Sequence, residues 1–159
     1  MNTRPDNIDF ANPTQFRFVI DKLPNTEFFI TSANVPSISS TSAEQNTPFK
    51  SVPHADNVLD YESLELTFLL NEDYSNYTEV YNWMVGLGFP DNYDQSERSV
   101  SDATLIILSN KNNPIAQFNF KDTFPVTLGS IEYNIQEEDS TQIEVSITLD
   151  YTIFEFEKL

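Results

Sequence analysis

Between Asn57 and Pro90 the hydrophobic period of the chain changes within seven residues from two to about 3.6, and this switch limits the fold more than any other stretch. Leu64, Leu66, Phe68 and Leu70 fall on one side of an extended segment, with Ser63, Glu65 and Thr67 on the other. A half-buried strand is expected there, and Leu69 interrupts its polar face. The chain then runs straight into a helix over about 75–87, in which Tyr77, Val80, Tyr81, Met84 and Leu87 recur at three- and four-residue spacing. Ser75 can cap its start, and Gly86, Gly88 and Pro90 supply the stop.

The remaining segments read mainly as strands. Phe16, Phe18 and Ile20 alternate with Arg17, Val19 and Asp21, and Leu23-Pro24-Asn25-Thr26 turns the chain into Glu27 to Ala33, which predicts a hairpin. A second hairpin is expected from Ala103 to Ser109 and Ile115 to Asp122, flanking the turn Asn110-Lys111-Asn112-Asn113-Pro114. Ile131, Tyr133 and Ile135 alternate with Glu132 and Asn134, and an acidic turn from Gln136 to Ser140 leads to the clearest strand of all. There Ile143, Val145, Ile147, Leu149, Tyr151 and Ile153 form one face, and Glu144, Ser146, Thr148, Asp150 and Thr152 the other. Seven or eight strands with one helix predict a mainly β fold, an antiparallel β-sandwich or barrel.

Two segments stand apart. Residues 1–12 form a polar arm, and residues 36–60 are rich in Ser, Thr, Asn and Pro with little periodicity beyond Phe49 and Val52. A loop of that length inside one domain is functional, disordered, or a hairpin that leaves the body. With no linker, repeat or composition shift, residues 1–159 are expected to form a single domain.

Composition removes several function classes. The chain holds 25 Asp and Glu against 8 Lys and Arg, a net charge of −17, which disfavours adhesion to phosphates or anionic membrane. Its longest apolar run, Leu105 to Leu108, falls far short of the roughly 20 residues a spanning helix needs, so a soluble protein is expected. There is no Cys, hence no disulfide or thiolate metal site, and a single His54 excludes a triad or a two-histidine metal site. Glycines at 86, 88 and 129 build no phosphate cradle. Asp91 with Asp94, or Glu137-Glu138-Asp139, could be taken for a glycosidase pair or a calcium site, but neither has calcium-loop spacing with its Gly, and solvated turn carboxylates are the plainer reading. Tyr77, Tyr81 and Trp83 could form a sugar platform, yet helical spacing puts Tyr77 and Tyr81 in the core. The sequon Asn76-Tyr77-Thr78 lies within the expected helix and is read as chance.

The order of strand, acidic turn Asn71-Glu72-Asp73, helix with a central Trp83 and closing Gly88-Phe89-Pro90 resembles the tail-tube proteins of contractile-tailed phages related to T4. Asn12-Pro13-Thr14-Gln15-Phe16-Arg17-Phe18, a hairpin ending in Ala33-Asn34-Val35-Pro36, the long polar loop and the strand Ile143 to Tyr151 follow in the same order, so the similarity covers most of the chain. The resemblance implies a structural subunit with neither catalysis nor cofactor. Copies would form hexameric rings stacked into a tube, wrapped by a sheath protein, started on baseplate tube-initiator proteins, filled by a tape-measure protein, and later passing double-stranded DNA without tight binding. The expected place is the virion tail, assembled in the host cytoplasm, with no membrane contact. Baseplate initiators, tail-completion proteins and secretion-system tube proteins share the fold and form a second reading. A monomeric carbohydrate- or ion-binding β-sandwich module forms a third.

Specific residues follow from this frame. Phe49 and Val52 have no local partner, so residues 36–60 are expected to be an assembly loop, and Lys50 and Arg17 are expected to meet carboxylates across subunit interfaces. On the tube resemblance, Glu65, Glu144 and Asp150 would line the channel.

Overall fold

The alternation at Leu64–Leu69 does form a strand, and the helix that follows it spans Ser75–Gly88. A computed structural model describes residues 11–91, 100–136 and 141–159, together with all their side chains except that of Asn57. The elements are β1 (Phe16–Ile20), α1 (Pro24–Phe28), β2 (Ile30–Ala33), β3 (Ile38–Asn46), β4 (Ser51–Tyr61), β5 (Leu64–Leu69), α2 (Ser75–Gly88), β6 (Ser101–Leu108), β7 (Pro114–Leu128), β8 (Glu144–Asp150) and β9 (Ile153–Lys158). Most of the expected arm at 1–12, Asp94 and the Glu137-Glu138-Asp139 cluster lie outside the described residues.

Strand β7, 15 residues long, organises the body. Its first part pairs β6 on one side and β9 on the other, while residues from Phe124 onward pair β8. The result is two antiparallel sheets sharing one strand, β1-β6-β7-β9 and β7-β8-β5-β2. At the crossover Asp122 takes a left-handed backbone (φ 52°), and its N–H donates to the Asp102 carboxylate at 3.2 Å. Asp is among the few residues that tolerate this conformation. β1 and β2 each pair on one side only, so the fold is a sandwich and not a closed barrel.

The inward faces meet in one core. Phe18, Ile20, Ala103, Leu105 and Phe120 come from the first sheet, and Leu64, Leu66, Phe68, Val145, Ile147 and Leu149 from the second, closed by Val80 and Trp83 of α2. Each large side chain of this kind contributes roughly 1.5–3 kcal/mol on burial, which fixes the register of β5 and β8.

Several expectations need correction. β1 and β2 do not pair as a hairpin, because Pro24 starts the short helix α1 and sends them into different sheets, so the described residues form two helices. The long loop is a two-stranded antiparallel ribbon, β3 with β4. The last strand breaks after Asp150: β9 moves to the other sheet, and Ile153 leaves the buried face. Ile131 to Ile135 alternate but form no strand, and Ile135 is fully exposed. Ser75 is the first helical residue and not the cap. The capping position is Tyr74 (φ 59°), and the Asp73 carboxylate accepts the Ser75 N–H at 3.1 Å. That bond holds the Asp73 carboxyl below its ordinary pKa. Finally, Tyr81 is exposed while Trp83 is buried, since the buried face of α2 runs through Asn76, Val80 and Trp83.

Candidate assembly and channel-facing surfaces

The outward face of the second sheet is polar by construction. Burying Leu64, Leu66 and Phe68 forces Glu65 and Thr67 outward, and burying Val145, Ile147 and Leu149 does the same for Glu144, Ser146, Thr148 and Asp150. The register places Glu65 opposite Thr148, Thr67 opposite Ser146, Leu69 opposite Glu144, and Asp150 opposite Phe124. The three carboxylates singled out from the sequence therefore share one face. Glu65 and Glu144 are exposed, whereas Asp150 is half-buried and accepts a hydrogen bond from the Ser63 hydroxyl. None of the residues of β2, β5, β8 or Phe124 to Leu128 is Lys or Arg. The chain leaves β7 at Gly129, whose N–H donates to the Ser146 carbonyl at 2.7 Å. A Cβ there would stand 2.5 Å from Ser146 Oγ and 2.9 Å from its carbonyl oxygen.

The β3–β4 arm carries the second candidate surface. Thr47, Pro48, Phe49 and Lys50 make the tip turn, closed by the Thr47 N–H on the Lys50 carbonyl at 3.1 Å, with Pro48 at the position where its fixed φ suits a turn. Phe49 is 98% exposed, and Lys50 and Val52 stand in solvent beside it. The root is held firmly. The Tyr61 ring packs edge-on against Tyr151 (6.3 Å) and Phe154 (5.5 Å), and the Tyr151 hydroxyl donates to the Glu62 carbonyl at 2.7 Å. Burial, reinforced by Tyr61, Asp150 and Glu62, pushes the Tyr151 phenol up to about 12.

Arg17 behaves differently from Lys50, for it reaches Glu27 of its own chain at 3.9 Å. Both residues line a groove of about 410 Å³ between β1, α1 and β2, together with Phe16, Phe28, Ile30 and Thr31. Sequence reading missed this groove, because it exists only where β1 and β2 diverge into separate sheets. No sugar platform forms on α2, as Trp83 is buried with the Lys22 ammonium over its ring at 5.5 Å. Among the described residues no helix is long and apolar enough to cross a membrane, and no cluster of three His, Cys, Asp or Glu could hold a metal ion.

Comparison with known proteins agrees with this architecture. No protein-family model matches the chain. It is 27% identical over 105 residues to the tail tube terminator protein of Enterobacteria phage T4, a match spanning 62% of this chain and 58% of the T4 protein. Among solved structures, a chain of the sheath/tube terminator of the PVC extracellular contractile injection system in its extended state superposes with TM-score 0.69 at 14% identity, covering 95% of this chain and 99% of that one. A chain of the tube-terminating cap of the anti-feeding prophage gives TM-score 0.68 at 14% identity, with both chains covered in full. The protein thus shares its fold with chains of these two tube terminators and resembles, in sequence, the T4 tail tube terminator.

Proposed function

We propose that this chain is a structural component of a phage tail that forms a ring on the tail tube and terminates it. The principal tube subunit is the less favoured reading, and the minor tube-fold component is preferred because the T4 protein similar in sequence is a terminator. The observation that carries a ring-forming role is the open second sheet, with one-sided edges at β2 and at the end of β7 and an outward face free of basic residues. Neighbouring copies would close those edges, the remedy that sheets with exposed edges require. In such a ring Glu65 and Glu144 face the channel, and the β3–β4 arm reaches a neighbour. Partners on this reading are further copies of the chain, the last ring of the tube, and the sheath, while DNA passes without adhering. On this reading it acts by assembly without catalysis.

Negative-stain microscopy and sedimentation of the purified chain test this. Single rings that stop growth of a polymerising tube protein are expected. Continuous tubes from this chain alone would restore the principal-tube reading, and a strict monomer at high concentration would overturn both.

A further inference from the structure

The groove presents Phe28 and the arm tip presents Phe49, two highly exposed aromatic side chains on separate parts of the fold. We infer that the groove between β1, α1 and β2 receives the arm tip of a second copy of this chain, Phe49 packing on Phe28 and Ile30 while the Lys50 ammonium meets the Glu27 carboxylate. The inference rests on the ring-forming reading above and names the receptacle within it.

Shape and reach agree. β3 and β4 pair only with each other, and strands of 9 and 11 residues extend the ribbon about 30 Å, which carries the tip off its own sheets. At about 410 Å³ the groove lies in the size range of sites that enclose a ligand group, ample for one aromatic ring. Phe28 is 87% exposed at its mouth, and Phe49 is 98% exposed at the tip. β1 and β2, which both line the groove, are each paired on one side only and leave backbone groups for the incoming turn.

Charge selects this pairing. Copies at −17 repel wherever carboxylates face one another, yet residues 36–61 carry one Lys against Glu44, Asp56 and Asp60, a net −2, and none of these carboxylates lies in the tip turn 47–50. The arm thus holds little of the negative charge. Glu27 is held by Arg17 only at 3.9 Å and keeps carboxylate capacity for a second cation. Lys50 is the one base the arm can offer it.

The absence of cysteine makes the test direct. One preparation carries Pro48→Cys at the tip, another Thr31→Cys at the groove, and a control Tyr81→Cys on the exposed side of α2. Mixed pairs are treated with a short bis-maleimide after rings have formed. Cross-linking of 48 to 31 is expected at least tenfold above 48 to 81. Rings that form with equal or absent 48-to-31 cross-linking would overturn the groove assignment while the ring reading stands, whereas failure of every preparation to form rings would overturn both. Phe28→Ser and Phe49→Ser, both at exposed positions, supply a second measurement. Each should weaken ring association at least tenfold with the fold intact by circular dichroism, and the double variant should be little worse than either. Additive losses would count against a shared contact.

Discussion

The Glu79 carboxylate of α2 accepts the backbone N–H of Thr26 at 3.2 Å, joining residues 53 positions apart. The same carboxylate takes the Asn25 N–H at 3.1 Å and the Asn25 side-chain amide at 2.6 Å. It thereby satisfies the first orphan donors of α1, a task usually done by a local capping residue, and Leu23 at the cap position makes no such bond. Because α1 separates β1 from β2, this contact helps to keep the two sheets apart. Glu79→Ala should cost about 1–2 kcal/mol in chemical denaturation, with Glu79→Gln losing about half as much. Equal stability of Glu79→Ala and the parent chain would show that the cap is not needed.

Gly129 tests a different kind of constraint. Its backbone dihedrals are not unusual for a side chain, so the requirement is space beside Ser146. Gly129→Ala should destabilise by about 1–3 kcal/mol, the scale of overpacking. Adding Ser146→Ala removes the hydroxyl at 2.5 Å but not the carbonyl at 2.9 Å, so it should restore only part of the loss. Full restoration would mean that the backbone contact is harmless.

Tyr151 links the arm root to pH. The folded phenol ionises near 12, against about 10 in an unfolded chain. Its contribution to stability is therefore whole below pH about 10 and declines as pH rises from about 10 to about 12. Tyr151→Phe keeps the ring contacts with Tyr61 and Phe120 and loses the bond to Glu62, for an expected cost of about 1 kcal/mol at neutral pH. It should also remove a late step from the alkaline ultraviolet titration. Tyr133 is raised too, through its hydrogen bond with Tyr74, so the comparison must be between the two proteins and not within one curve. Identical titrations would remove the assignment.

What was legible in the sequence was local. β5, β8 and the β6–β7 hairpin each show their alternation over a few residues, and a single buried face enforces it. The outward placement of Glu65 and Glu144 was legible for the same reason, since they alternate with core residues. The remainder depended on distant partners. Nothing near Pro24 announces that Glu79 will cap it, and nothing near Tyr151 shows that the chain will step to the opposite sheet, pairing Phe154 with Phe120. The helix was found but set slightly out of phase, because Tyr81 and Trp83 are both aromatic and only packing separates the exposed one from the buried one. The ribbon at 38–61 was hidden because both its strands are largely exposed, which leaves no buried face and hence no alternation.

The outward face of the second sheet yields the prediction closest to function. If Glu65 and Glu144 face the channel of a ring, they repel the phosphates of passing DNA, and at physiological salt this extends only about 8 Å from each carboxylate. Asp150 is the wrong residue to change, since it accepts the Ser63 hydroxyl near the arm root and its loss would mix structure with charge. Glu65 and Glu144 are exposed, and neither contributes to the buried face of its strand. Glu65→Lys with Glu144→Lys should therefore leave thermal stability within about 0.5–1 kcal/mol and rings intact. The altered rings should retain double-stranded DNA at low salt and release it as salt rises, since each lysine near a phosphate displaces a counterion. Exchanging two other exposed carboxylates, Glu155 and Glu157 of β9, for lysine adds the same charge away from the second sheet and should bind DNA far less. Equal retention by the two double variants would show a general effect of net charge and would end the channel assignment of Glu65 and Glu144.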